Sequence, residues 1–416
     1  MVFAAIRGRL APLNTPNLRR YWLNAVISAF GDSVTSIALM LMVLQRTGSI
    51  SLMATMSIVV SVPGIVLGLV NATWVDRWNA QRVIVRSQLL RALLILGLVY
   101  VDLGNQLWMA FVLAACQSLV GTFDDPARGR MVAMLTTTET RLSVNSLTSS
   151  GVMVAGMLGT TVGGLLVGTG GRYWPAFAID SVTFVAGAAA LTGIAGNFDP
   201  STQSPHSGKV WGRLADDVLE GITAIRRSPV LVAVLWAASA STIGLSAATI
   251  MLTPLIVDVL YLQPAWFGAI EATQASSAIA IALAIGVFGR SLDPKRLVAL
   301  GMMATGLVIG LIGSAVDVWT LLISMFLVGI SITPVSSGYS TLLQTYAPRA
   351  MIGRIAATMN TLVQTFSIAA MAGAGLLGDA VGVRSVFWIA GGVCAFAGVW
   401  SGALFRKEDA AGPDGV

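Results

Sequence analysis

Asp32, Arg91, Asp180 and Glu271 each stand inside a long apolar run of this chain. An ionisable side chain at the centre of a bilayer costs roughly 2.5–3.5 kcal/mol on insertion scales, so such residues are rare and tend to carry function. A carboxyl group in an apolar setting is expensive to keep charged, and that lets it take up and release a proton. Asp32, near the middle of the first run, is the sharpest candidate for a coupling proton. The competing reading is a hydrogen bond between helices. Glu271, with Gln274 one turn on, could hold a second proton or attract a cationic solute, or simply sit at an interface. Arg91 reads as structural, either paired with a carboxylate or reaching along its stem to the membrane surface.

These residues need a frame, and the composition says which kind. Of 416 residues 56% are apolar and 11% charged, and the mean hydropathy is +0.81. A soluble domain carries about 25% charged residues, so the polar material here is too scarce to cover a water-facing exterior. Apolar windows of about 20 residues, enough to span a hydrocarbon core, recur twelve times. They fall near 21–44, 52–74, 83–102, 106–124, 144–168, 174–196, 230–257, 266–289, 297–316, 319–343, 354–378 and 385–405. Short alternating segments of a barrel are absent from the pattern. The fold class expected is an all-α membrane protein of twelve transmembrane helices in two six-helix pseudo-symmetric bundles.

The net charge of +6 does not point to nucleic acid, because position explains it. With both termini inside, 21 of the 25 Lys and Arg fall in cytoplasmic segments, a strong positive-inside bias. Both termini are therefore expected in the cytoplasm of a bacterial inner (cytoplasmic) membrane. The start of the chain lacks a compact apolar core with a cleavage site, so no signal peptide is expected.

The run of spans breaks once, at 197–228, where Asn197-Phe198-Asp199-Pro200 begins a stretch rich in turn formers. Trp211 to Arg227 then shows apolar residues at helical spacing, read as an amphipathic helix on the cytoplasmic membrane face. The domains are thus 1–196, the 197–228 linker and 229–416. The halves also echo one another. Trp74 to Arg82 after the second span matches Phe288 to Arg296 after the eighth, and Arg141-Leu142 matches Arg354-Ile355. Gly164-Leu165-Leu166 before Arg172 matches Gly375-Leu376-Leu377 before Arg384. Parallel six-helix repeats of this kind are the architecture of alternating-access carriers.

Several patterns carry no chemistry. Cys116 and Cys394 lie in apolar runs, and the single histidine, His206, lies in the linker, so neither a disulfide framework nor a metal cluster is implied. Gly373 to Gly378 fits a dinucleotide-binding pattern but has no preceding strand. There is no Walker A sequence. No cofactor is expected, the energy source being a proton gradient, and an enzyme is not expected because no nucleophile, base or metal set falls within the spans.

Over roughly residues 15–405 the chain resembles the major facilitator superfamily. Asp76-Arg77 and Arg82 match the family's G-x-L-a-D-r-x-G-r-k segment after helix 2, although Ala72 and Asn79 replace its glycines and Ala80 and Gln81 its basic pair. The resemblance implies that Asp76 packs at the cytoplasmic end of helix 11 and helps hold the outward-open state. Gly156 to Gly164 is similar to the exporter signature G-x-x-x-G-P-x-x-G-G, with Thr160 in the proline place; it implies that Gly159 and Gly163 seat helix 5 tightly on a neighbour. Asn17 to Trp22 with Phe30-Gly31-Asp32, Phe123 to Arg128, Ala176 to Asp180 and Met351 to Ile355 resemble exporters related to macrolide efflux pumps and the enterobactin exporter. Proton-linked members often carry an arginine in helix 4 where this chain has Gln117, so coupling through an arginine at that place is not expected. Helices 3, 6, 9 and 12 are peripheral in this fold, which implies a structural role for Asp180.

The resemblance also places Gln117, Trp236, Gln274, Tyr339, Asn360 and Gln364 on helices that face a substrate cavity, as an aromatic and amide lining. The leading expectation is a proton-coupled antiporter exporting small amphipathic compounds, drugs or a siderophore. The alternative is import or leaflet transfer of a lipid-like or other small solute by the same fold. The partners expected are a small-molecule substrate and membrane lipids, with no nucleic acid, and the chain is expected to act as a monomer.

Overall fold

The computed structural model describes residues 14–75, 78–104, 106–168, 172–196, 198, 219–226, 228–288, 292–348 and 351–411. The described residues are overwhelmingly helical, and twelve helices are long and apolar enough to cross a membrane. A helix satisfies its backbone polar groups within itself, which a lipid environment requires.

The helices of the first half are α1 (Pro16–Thr47), α2 (Ile50–Val75), α3 (Ala80–Gly104), α4 (Leu107–Gly121), α5 (Asp124–Leu135), α6 (Thr138–Gly168) and α7 (Trp174–Thr192). Those of the second are α8 (Pro229–Pro254), α9 (Trp266–Phe288), α10 (Pro294–Gly313), α11 (Val318–Tyr346), α12 (Ile352–Val381) and α13 (Val383–Ala411). Every apolar window becomes a helix, and most helices overrun their windows because local signals set the ends. Pro16 opens α1, and Gly48, at φ +64°, closes it in the left-handed conformation that glycine adopts without strain. Ser228 and Asp293 cap α8 and α10 ahead of a proline, while Asp317 and Thr320 form a reciprocal capping box on α11. The Thr320 amide and hydroxyl hold the exposed Asp317 carboxyl below its ordinary range.

Two spans depart from the simple pattern. The fourth breaks at Thr122–Phe123 and resumes as α5, so the apolar crossing runs from Leu107 to Leu135. The seventh ends in a π-turn, Leu255–Val259.

The chain divides into two units, one of Met1–Gly48, Met56–Pro205 and Gln263–Ala269, the other of Ser49–Thr55, His206–Leu262 and Ile270–Val416. Within the first, α1 packs on α6 and α7, and α3 packs on α7 and α4. Within the second, α8 packs on α12 and α13, and α10 packs on α13 and α11. Counted as spans, the two patterns are the same, so the repeat read from short sequence matches is a repeat of packing.

Polar staples tie the helix ends of the first unit. At one end Asp102 pairs with Arg46 and accepts the amides of Tyr173 (2.9 Å) and Trp174 (2.8 Å), which opens α7. Burial pushes the Tyr173 phenol's pKa up against the opposing pull of Arg46, so the hydroxyl stays a donor to Gln45 Oε1 at 2.5 Å. At the other end Asn17 donates to Ala195 O, and Gln81 donates to the carbonyls of Leu191 and Ile194. In the second unit the Asp379 carboxylate accepts the amides of Ile50 (2.9 Å) and Ser51 (3.0 Å), capping the start of α2.

Of the amphipathic linker segment, residues 219–226 are described and helical. Its Ile225 is 2% exposed, packed among Val230, Val234, Ile355 and Phe405, and Glu220 pairs with Arg354. This part of the segment meets protein through Ile225, where the apolar periodicity alone suggested lipid.

Candidate functional site

Four helices of the first unit bring charged groups to one place. Along α1 the polar residues Asn24, Ser28, Asp32 and Thr35 recur at helical spacing on one stripe. From α3 the stripe meets Gln88 and Arg91, and from α7 it meets Asp180, Thr183 and Phe184. The break after α4 turns the chain so that Asp124, first residue of α5, points into the same space at 4% exposure.

Arg91 is the hub. Its Nη2 donates to Asp32 Oδ1 at 2.5 Å and its Nη1 to Asp124 Oδ2 at 3.4 Å. Its guanidinium carbon lies 4.2 Å from the centre of the Phe184 ring, a cation–π contact on an apolar floor. Gln117 Nε2 stands 3.5 Å from the same Asp32 oxygen. Arg91 from α3 and Gln117 from α4 thus meet at one oxygen of Asp32.

Access differs sharply within the cluster. Arg91 and Asp124 are buried and Asp180 is fully buried, whereas the Asp32 side chain is 39% exposed. Asp32 is the carboxylate that a solute or a solvent proton can reach. Asp180 accepts from Thr183 Oγ1 at 3.1 Å through Oδ1, and its Oδ2 has no hydrogen-bond partner. Behind the cluster a second polar layer runs from Arg128 Nη1 to Asn24 Oδ1 (2.8 Å), Asn24 Nδ2 to Gln88 Oε1 (2.8 Å) and Gln88 Nε2 to Ser28 Oγ (2.9 Å).

Glu271 and Gln274 are half-buried on α9, with Glu271 in the second unit. A cavity of about 260 Å³ in the second unit is lined by Ser241, Thr242, Ser336, Tyr339 and Asn360 among valines and alanines, with no charged residue on its wall. Tyr339 also donates to Met359 Sδ at 3.7 Å. Trp236 and Gln364 are exposed and are not on that wall. Arg82 is exposed in the first turn of α3, its amide capped by Asn79. Asp76 and Arg77 lie outside the described residues. Gly159 and Gly163 are buried where α6 crosses α1: a Cβ on Gly163 would stand 2.6 Å from Ile37 Cγ2 and 2.9 Å from Val34 O.

Sequence reasoning named Asp32 and Gln117 but gave Arg91 and Asp180 structural roles and did not single out Asp124. The rule that a buried charge needs a partner could have raised all three, since Arg91 stands in the middle of the third apolar window.

A helical membrane protein with a repeated six-span packing and a buried charge cluster in its first half has the frame of a secondary carrier. The chain belongs to the Major Facilitator Superfamily, whose family model matches residues 21–371 and 294–415. It is a transporter of that type and not an enzyme. Among curated proteins it is 25% identical over 393 residues to the uncharacterized MFS-type transporter YfiS of Bacillus subtilis (strain 168), covering 91% of this chain and 90% of that one. Among solved structures it shares the fold of a peptide transporter POT (TM-score 0.73, 18% identity, 94% of each chain). It also shares the fold of the nucleoside transporter NupG (TM-score 0.73, 11% identity, 94% of this chain and 100% of that one). A bacterial homolog of the human lysosomal transporter Spinster matches similarly (TM-score 0.71, 11% identity, 94% and 96%).

Proposed function

We propose that this transporter is a proton-coupled exporter of small amphipathic compounds. In this reading it works by alternating access in a bacterial inner membrane, with both termini cytoplasmic. The observation that carries the reading is the Asp32–Arg91 pair: a reachable carboxylate held by a buried guanidinium, with two further buried carboxyl groups beside it.

Ionised Asp32 binds Arg91. A proton on Asp32, or the cationic group of a substrate, competes with that bond. Proton and substrate therefore exclude each other at one carboxylate, which couples the two fluxes without any long-range connection. The cavity in the second unit supports an amphipathic substrate, because hydroxyl, phenol and amide groups on an apolar wall suit an uncharged body with a few hydrogen-bonding groups.

The test is export from cells that express the protein, using ethidium as an amphipathic cation together with a panel of uncharged and zwitterionic compounds. The expected result is lowered retention of a subset of these that returns to control levels when a protonophore collapses the gradient. Raised accumulation, or export indifferent to the protonophore, contradicts it.

A further inference from the structure

Asp180 has no part in the mechanism above, yet it is the carboxyl group of the cluster with no cation in contact. It is 0% exposed, its Oδ2 has no hydrogen-bond partner, as is true of Asp124 Oδ1, and the donors that face it are the neutral hydroxyls of Thr183 and Thr35. Its carboxyl group is wedged against the backbone of α1, so that a Cβ built on Gly31 would fall on Asp180 Oδ1 and Thr183 Oγ1. The charged groups facing it are Asp32 from α1 and Arg91 from α3. Arg91 in turn serves Asp32 and Asp124, and Arg128 on α5 acts on Asp124 as a second cation. Three carboxyl groups thus share two cations, and Asp180 is the one with no cation in contact. A buried carboxylate without a cation or a full set of donors is far costlier than the neutral acid.

We propose that Asp180 holds the cluster's proton while Asp32 is paired with Arg91, and that Arg91 exchanges partners to release it. This rests on the coupling role proposed for the cluster. In one arrangement Asp32 is ionised and bound to Arg91, and Asp180 is a neutral acid. In the other, the O–H bond of Asp180 breaks and one forms on Asp32, and Arg91 turns to the new Asp180 carboxylate. Each arrangement has one proton and the same total charge, so neither leaves an unbalanced buried ion. The first occludes the proton on a residue with no access to solvent; the second presents it on the residue that is 39% exposed. The backbone carbonyl of Asp180 and its own Oδ1 both receive the Thr183 hydroxyl, which leaves Oδ2 as the oxygen for the proton.

The test is infrared spectroscopy of the purified full-length protein at neutral pH, read as parent-minus-variant difference spectra in the carbonyl-stretch region of protonated carboxylic acids. Asp180→Asn is nearly isosteric with the neutral acid and is expected to reach the membrane at parental levels. Its difference spectrum should show the loss of one protonated-acid band of the parent, and Asp32→Asn, which frees Arg91 to pair with Asp180, should weaken the same band. No lost band in Asp180→Asn overturns the assignment, and a parental band in Asp32→Asn overturns the exchange of partners. This readout needs no substrate, so it stands or falls separately from proton-coupled export. In proteoliposomes with an acid interior, Asp180→Asn is expected to lose at least tenfold in gradient-driven ethidium accumulation while keeping ethidium exchange at equal pH. Parental accumulation in this variant would overturn the exchange of partners.

Discussion

Arg91 balances two carboxylates at once, with Arg128 acting as a second cation on Asp124 alone. It is 9% exposed, floored by Phe184, and reaches Asp32 and Asp124 with different nitrogens. Removing one partner of a buried ion pair costs about 3–5 kcal/mol, because the other charge is left without compensation. Arg91→Met is therefore expected to lower thermal stability in detergent by about that amount, and Asp32→Asn with Asp124→Asn in the same chain should restore most of it. Equal melting of Arg91→Met and the parent would show that the cluster is not ionised as drawn. Asp32 was legible in the sequence because a lone carboxylate in an apolar run is conspicuous. Arg91 was equally visible, but its role depends on α1, α3, α5 and α7 meeting, which no spacing within one span reports. Asp124 was hidden for a different reason: it is the last residue of the fourth apolar window and is followed by Asp125 and Pro126, where a charge looks like ordinary loop.

At the scale of elements, close approach of small residues does much of the work, since lipid supplies no hydrophobic drive between helices. The crossing of α6 on α1 shows it. Gly163→Val places a Cβ 2.6 Å from Ile37 Cγ2 and 2.9 Å from Val34 O, with further atoms beyond it. Overpacking of this kind costs about 1–3 kcal/mol, so a lower yield of monodisperse protein and a lower melting temperature are expected. Gly373→Ala is the control, because a Cβ there meets nothing within 4 Å. Equal loss in both variants would mean that helix propensity, not packing, governs these sites. Hydropathy sufficed to locate the twelve crossings, because the bilayer imposes both their length and their composition. It could not place their ends, which rest on single residues such as Pro16, Gly48, Ser228 and Asp317. Nor could it show that the fourth span breaks at Thr122–Phe123 and resumes as a helix through Asp124-Asp125-Pro126-Ala127-Arg128, a charged stretch that reads as loop.

Across the whole molecule, topology follows from the placement of Lys and Arg. In a background with Cys116 and Cys394 replaced by alanine, cysteines at Gln106 and Gln263 are expected to react with an impermeant reagent added to intact cells. One at Thr137 is expected to react only after permeabilisation. The reverse pattern would turn the transporter over in the membrane and with it the sense of every gradient argued above. The two units repeat one packing scheme, yet the charge cluster described here belongs to the first and the uncharged cavity to the second. The most direct measurement is ethidium accumulation by purified parent and Asp32→Asn in proteoliposomes with an imposed acid interior. The parent should accumulate the dye in proportion to the gradient. Asp32→Asn, which hydrogen-bonds but cannot titrate, should fall at least tenfold while reaching the membrane normally. Accumulation by Asp32→Asn equal to the parent would contradict coupling through this carboxylate.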